Sequence, residues 1–282
     1  MNDDRFLVHS TNLLPKDSGE LLRLPREKAE WDWLSFFVHR LQPGEVLRRQ
    51  TGDEEAVFVI LGGTCAANWG QGPKLIGKRK NVFDGFPYTL YLPTRAEATF
   101  MAETICEIAE CRVPSGAKYQ PALIEPKDVV TSLRGGGNAS RQIVDVLPPA
   151  FPADKLMVIE VYTPGGNWSS FPPHKHDVHN VPIEVDLEEI YYFRFEKAEG
   201  FALQHLYGNA DVGQRTLKAR DGDVVLVRSG YHTVAAGPGY DTYYLNFLAG
   251  SARSLAATED PRHSWVRSTW NAKDPRLPQI CG

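Results

Sequence analysis

The stretch Glu189-Ile190-Tyr191-Tyr192-Phe193-Arg194-Phe195 decides the fold class. Side chains of a strand alternate between its two faces, so Glu189, Tyr191, Phe193 and Phe195 share one face and Tyr192 and Arg194 take the other. The first face is an aromatic lining with a single acid at its end. Outward from it, short runs rich in Val, Ile, Phe and Tyr recur at 36–41, 57–61, 98–103, 157–162, 201–207, 224–227 and 242–248, the composition strands prefer. Twenty Pro and 24 Gly punctuate them, the rhythm of an all-β antiparallel chain. A short helical piece is expected at 26–34 and an irregular tail from Ala257 onward.

The stretch 132–140, with Gly135-Gly136-Gly137-Asn138, is read as a linker or rim loop and places a domain boundary between 1–134 and 135–282. The two parts echo each other: VFVILGG at 57–63 precedes YLP at 91–93, and EIYYFRF at 189–195 precedes LVR at 226–228 by a similar interval. A duplicated β unit is the expectation.

The chain has 282 residues, 42% hydrophobic and 23% charged, proportions that exclude a disordered protein. Its formal net charge is -4, with no long basic run, so nucleic acid is not an expected partner. MNDDRFLVHS carries acids where a secretion signal needs basic residues, and no apolar stretch reaches the roughly 18 residues of a membrane span. Cytoplasmic residence, no membrane partner and a small-molecule ligand are expected. Cys65, Cys106, Cys111 and Cys281 lack a CxxC spacing and are read as reduced thiols.

Six of the eight histidines lie after residue 170, and the sharpest cluster is Phe171-Pro-Pro-His174-Lys175-His176-Asp177-Val-His179. On an extended strand, residues two apart share a face, so His174 and His176 present two imidazoles together while Lys175 points away. That pair begins the coordination shell of a divalent cation. Glu189, at the start of the aromatic strand, and His232, after a Gly-Asp turn and the apolar strand 224–227, complete a set of three His and one carboxylate. Glu188 takes the place of Glu189 if the register slips by one. Such a donor set suits zinc, iron, manganese or nickel, with zinc or manganese favoured.

These residues resemble the cupin pattern, in which Gly165 or Gly166, His174, His176 and Glu189 fill the first motif and His232 the second. The gap between His176 and Glu189 is longer than usual and is read as an insertion at the barrel mouth. More narrowly, PPHKHD at 172–177, EEIYYFRF at 188–195, GFALQHLYG at 200–208, DGDVVLVRSGYH at 221–232 and GYDTYYLNFLAG at 239–250 resemble the 5-deoxy-glucuronate isomerase family of myo-inositol catabolism. The resemblance implies two cupin-type antiparallel β-barrels, with a degenerate amino-terminal barrel (1–134) lacking metal and a carboxy-terminal barrel (135–282) holding one divalent metal. It implies interconversion of 5-deoxy-D-glucuronate and 5-dehydro-2-deoxy-D-gluconate. The keto-uronate isomerases of pectin breakdown and an iron-dependent cupin dioxygenase are the alternatives. The first half has no His-x-His, and Glu97 falls where His232 would align.

An aldose to ketose isomerisation needs a base beside the carbonyl carbon and an electrophile for the enediolate oxygen. Candidate catalytic residues are Glu189, His179, His205 and Tyr191. The uronate carboxylate calls for a guanidinium fork, for which Arg141, beside the glycine stretch whose backbone N–H groups form an expected anion nest, and Arg228 are the candidates. A homo-oligomer is expected.

Overall fold

The computed structural model describes residues 5–11 and 17–281. Asp3 and Asp4, on which the reading of the amino terminus rests, lie outside them. The chain runs through β1 (Leu7–Val8), β2 (Gly19–Leu24), one helical turn α1 (Arg26–Ala29), β3 (Ser35–Leu41), β4 (Val46–Gln50), β5 (Glu54–Gly62), β6 (Thr64–Asn68), β7 (Lys74–Gly77), β8 (Thr89–Leu92), β9 (Glu97–Ala102), β10 (Cys106–Pro114) and β11 (Ala122–Ile124). It continues through β12 (Val130–Arg134), β13 (Arg141–Leu147), β14 (Met157–Thr163), β15 (Trp168–Lys175), β16 (Leu187–Phe195), β17 (Phe201–Tyr207), β18 (Gln214–Arg220), β19 (Val224–Val227), β20 (Tyr231–Ala236), β21 (Thr242–Gly250) and β22 (Thr258–Glu259). Each apolar run read from the sequence falls on a strand, the one at 98–103 ending a residue early at Ala102. The helix stops short of 34 because Glu30 takes a left-handed conformation, φ 55°. The tail after 257 carries β22 and a 3-10 turn at Ser264–Thr269.

Contacts divide the chain into two units. The first contains Ser10–Val129 and, from further on, Ala150–Leu156; the second contains residues 5–9, Val130–Pro149 and Met157–Cys281. In the first, a six-stranded sheet of order β11-β8-β5-β10-β3-β2 packs on a four-stranded one of order β4-β9-β6-β7. In the second, β1-β19-β16-β21-β14-β13-β12 packs on β18-β17-β20-β15-β22. Stripped of edge strands, the two orders are the same: β8-β5-β10-β3-β2 repeats as β19-β16-β21-β14-β13, and β7-β6-β9-β4 as β18-β17-β20-β15.

Alternation along each strand sends one set of side chains into the barrel. In the first unit Ala56, Phe58 and Ile60 meet Phe100, Cys106 and Ile108; in the second Tyr191, Phe193 and Phe195 meet Leu206, Val234 and Tyr244. The segment 150–156 is held in the first unit by a buried carboxylate. Glu55 accepts hydrogen bonds from the Tyr91 hydroxyl at 2.8 Å and from the backbone N–H groups of Asp154, Lys155 and Leu156 at 2.7–2.8 Å. Among the described residues no helix is long and apolar enough to cross a membrane.

Candidate metal and substrate site

Two adjoining strands of the second barrel bring the imidazoles together. β15 and β20 pair antiparallel with His174 opposite His232, after an irregularity that sets the four residues between Ser169 and His174 against the single residue between Val234 and His232. His176 follows one residue beyond β15 on the same face. Gly230 sets the entry to His232: its φ is +78°, and a Cβ there would meet the Tyr207 carbonyl oxygen at 2.7 Å. Its N–H donates to Asp177 Oδ2 at 2.7 Å, tying the turn to the chain just past His176.

One nitrogen from each of His174, His176 and His232 lies within 4.8 Å of the other two, the one grouping of three potential metal ligands among the described residues. Glu189 adds a carboxylate oxygen, Oε2, at 3.0 Å from His176 Nε2 and 3.3 Å from His232 Nε2. His176 Nδ1 faces the Leu187 carbonyl at 3.0 Å, so that nitrogen carries the proton and Nε2 turns inward with its lone pair available. His232 Nε2 is fully buried and has no hydrogen-bond partner. A buried imidazole nitrogen left unbonded beside a carboxylate and two other imidazoles is a site that a divalent cation satisfies and apolar packing does not. The residues present therefore fit a metal.

The electrostatics agree with that geometry. Burial would raise the Glu189 carboxyl, but the neighbouring His176 and His232 rings hold it well below the ordinary carboxylate range. Burial lowers His174, and the neighbouring His232 and His176 add to the effect, so its ring stays neutral, the form that ligates. Burial, then the Glu189 charge, pushes the Tyr191 phenol far up, which keeps it protonated.

A cavity opens on this cluster, lined by His174, His176, Glu189, Tyr191, Tyr244 and Arg141, with Ile143, Ile159, Leu187 and Leu248 among its apolar walls. Glu188 is on the opposite face of β16, so the register selects Glu189. Arg141 Nη1 donates to the carbonyls of Ala139 and Phe171, both at 3.2 Å, and no acidic partner is present among the described residues. Across the β12–β13 ladder its Cα partner is Arg134, which also lines the cavity.

Other candidates from the sequence lie elsewhere. His179 is exposed in the 177–186 loop, 3.2 Å from Asp186. His205 shares the outer face of β17 with Leu203 and Tyr207 and bonds Thr216 Oγ1 at 2.9 Å. Arg228 is exposed and does not line the cavity. The glycine stretch makes no anion nest: the N–H groups of Gly137, Ala139 and Ser140 bond to Ala272, Gly136 and Gly137 carbonyls. Its glycines serve close packing instead, since any Cβ on Gly136 would collide with Trp270. Lys175 points away from the cluster, to Asp177 and Glu184.

Arg134, Ser170 and Tyr244 were not singled out from the sequence. Ser170 Oγ lies 3.2 Å from the Tyr191 hydroxyl and 3.4 Å from that of Tyr244, which also bonds Ser169. The alternation of 242–248 carried a signal for Tyr244, because the face that holds it also holds Asn246 and Leu248, both lining the cavity. Nothing local marks Arg134.

Two antiparallel barrels of one repeated strand order, the second enclosing a three-imidazole, one-carboxylate cluster, define a bicupin with a candidate metal centre. Solved structures of oxalate decarboxylases share the fold: the Bacillus subtilis enzyme superposes with a TM-score of 0.61 at 13% identity, covering 90% of this chain and 79% of that one. Residues 7–266 match the KduI/IolB family, and the chain belongs to it. It is 42% identical over 268 residues to the 5-deoxy-glucuronate isomerase of Geobacillus thermodenitrificans, covering 93% of this chain and 96% of that one. A crystal structure of an IolB-like protein from Salmonella typhimurium LT2 superposes with a TM-score of 0.88 at 35% identity, covering 93% and 98% of the two chains.

Proposed function

We propose that this protein is a metal-dependent aldose-ketose isomerase that interconverts 5-deoxy-D-glucuronate and 5-dehydro-2-deoxy-D-gluconate in myo-inositol catabolism. The observation that carries the reading is Arg141, a guanidinium with no acidic partner among the described residues, which faces the same cavity as the imidazole cluster. A cation left uncompensated there, with a second guanidinium opposite it in register, is unfavourable for folding alone and suits a substrate that brings its own carboxylate. The name carried by the Geobacillus relative, 5-deoxy-glucuronate isomerase, supports the same substrate.

In this reading His174, His176, His232 and Glu189 hold one divalent ion, zinc or manganese by donor type. Bound there, the ion supplies Lewis-acid stabilisation of negative charge on the carbonyl and neighbouring hydroxyl oxygens. Arg141 grips the carboxylate in a fork of parallel hydrogen bonds, which fixes the far end of the sugar acid and presents C1 and C2 to the cluster. The isomerisation moves one proton from C2 to C1 and another from the C2 hydroxyl to the C1 oxygen. Glu189, held ionised and the one carboxylate among the cavity-lining residues, is our candidate for the group that takes the carbon-bound proton. Tyr191 keeps its proton and donates a hydrogen bond to a substrate oxygen. Leu187, Leu248 and the isoleucines limit water around the reacting carbons.

A homo-oligomer and cytoplasmic residence belong to the same proposal. Val178, Val181 and Ile183, each more than half exposed on the loop after His176, support the first; the buried thiols of Cys65, Cys106 and Cys111, none of them in a disulfide, support the second.

The test is direct. Purified protein incubated with 5-deoxy-D-glucuronate should remove the aldehyde proton signal in NMR spectra, without oxygen uptake, and stop when a chelator is added. Turnover that ignores the chelator removes the ion from the mechanism. Turnover of the pectin-derived keto-uronate in its place reassigns the substrate, and oxygen consumption would point to a dioxygenase.

A further inference from the structure

Among the described residues four that are not glycine take a left-handed backbone, with φ between 50° and 86°. Glu30, Lys78 and Arg95 do so at exposed positions. Ser170, φ 50°, is 7% exposed and lies within strand β15. Such strain persists only where the surroundings fix it, and it clusters at functional sites. Ser170 falls in the irregular part of the β15–β20 ladder, just after Ser169 pairs with the core residue Val234. Successive side chains of a regular strand point to opposite faces. Here both serine hydroxyls reach the hydroxyl of Tyr244, that of Ser169 directly and that of Ser170 at 3.4 Å. Ser170 Oγ also lies 3.2 Å from the Tyr191 hydroxyl. Ser170, Tyr191 and Tyr244 line the cavity of the imidazole cluster, whereas Ser169 is wholly buried behind them.

The hydroxyls thus form a row in the order Ser169, Tyr244, Ser170, Tyr191. They carry four hydrogens and make three contacts with one another, so one hydrogen leaves the row at one of its ends. Donation running from Tyr191 toward Ser169 would leave that hydrogen on Ser169 Oγ, whose one partner among the described residues is Tyr244. A buried donor with no acceptor is costly. Donation in the other direction satisfies every member and leaves the Tyr191 hydrogen at the cavity, two residues from Glu189 on the same face of β16. Hydrogen bonds in such a row also strengthen one another, because a hydroxyl that accepts a bond donates a better one.

We propose that Ser170, with Tyr244 and Ser169 behind it, is a positioning residue that turns the Tyr191 hydrogen toward the substrate oxygen. The inference rests on the isomerase reading, in which Tyr191 donates to that oxygen, and adds what holds the donor in place. A phenol left to itself swings its hydrogen between Ser170 and the cavity; accepting from Ser170 closes the first direction. The bond is then preorganised for negative charge that develops on the oxygen during enolisation, so it acts on kcat more than on KM. The left-handed backbone is the means, since it carries the Ser170 side chain to the inner face where alternation would have sent it outward. The next carbonyl, that of Phe171, accepts from Arg141 Nη1 at 3.2 Å, so one strained turn borders both the guanidinium and the phenol.

The experiment is a double-mutant cycle of Ser170→Gly and Tyr191→Phe in the intact protein, read by initial rates of aldehyde loss and by thermal unfolding. Glycine suits a left-handed backbone and removes only the hydroxymethyl group, so Ser170→Gly should unfold no more than about 2 °C below the parent. Its kcat should fall about five- to tenfold, the worth of one hydrogen bond, with KM within about threefold. In the Tyr191→Phe background the same change should alter kcat by less than about twofold, because no phenolic hydrogen is left to aim. A larger drop in unfolding temperature makes Ser170 a folding residue and overturns the proposal. So does a Ser170→Gly protein with kcat within about twofold of the parent, or an equal effect of that change with and without the Tyr191 hydroxyl. Absence of turnover in the parent is failure of the isomerase reading, and the aiming of Tyr191 falls with it; turnover in the parent with an additive cycle is failure of this inference alone.

Discussion

Replacing Arg141 by methionine separates a substrate-binding guanidinium from a structural one. Among the described residues its only bonds are two to backbone carbonyls at 3.2 Å, and it shares the cavity rim with Arg134. Methionine keeps much of the volume and relieves a like-charge apposition, so unfolding free energy should change by less than about 1 kcal/mol. Catalysis is another matter. Truncating one partner of a buried, hydrogen-bonded charge pair costs about 2–5 kcal/mol, which at 1.36 kcal/mol per decade is a fall of roughly one and a half to nearly four orders of magnitude in kcat/KM. Arg134→Met, at an exposed position, should cost no more than about tenfold and lose its effect at high salt. Initial rates of aldehyde loss by NMR, with thermal unfolding as the fold control, supply both numbers. A folded Arg141→Met protein with kcat/KM within about threefold of the parent would refute the assignment of the carboxylate to Arg141.

Metal removal should be visible without turnover. Ligand at about one hundred times its Kd stabilises by roughly 2.7 kcal/mol, so zinc or manganese added to chelator-treated protein should raise the unfolding temperature by about 5–10 °C, and His232→Ala should abolish the rise; an equal rise in that variant would place the ion elsewhere. Glu55→Gln turns an acceptor of four hydrogen bonds into one that presents an N–H group to backbone N–H donors. Two lost bonds to a charged acceptor predict about 3–6 kcal/mol of destabilisation by denaturant unfolding, and a loss under 1 kcal/mol would contradict it. Glu110 titrates in the folded protein at about 2: burial opposes its charge, but the His39 bond and the charges of Arg112 and Arg49 outweigh burial. Its contribution, about 3 kcal/mol, is present above the ordinary carboxylate pKa of 4.5 and is lost as pH falls from there toward 2. Urea unfolding at pH 6, 4 and 3 should show a steeper acid decline in the parent than in Glu110→Gln; parallel slopes would count against it.

Much of this architecture was legible in the chain because the second barrel has aromatic and β-branched inner faces. Strands whose inner faces alternate weakly with Arg and Lys, such as Val46–Gln50 and Gln214–Arg220, gave no comparable signal. The imidazole cluster was legible because two of its histidines are two residues apart on one strand and a third follows an apolar strand and its turn. His205 was not, because β17 is ambiguous in parity: the outer face carries Leu203 and Tyr207, whereas the inner one carries the polar Gln204 between Ala202 and Leu206. Arg134 becomes relevant only through its cross-strand register with Arg141.

The pairing of Leu7 and Val8 with Val225 and Val224 has a consequence for biosynthesis. At roughly 5–20 residues per second, the opening strand leaves the ribosome on the order of ten to forty seconds before its mate is made. A gene fragment that starts at Val130 would never supply it, and the flank of Val224–Val227, four apolar residues in a row, would offer itself to other chains as a template for insoluble assembly.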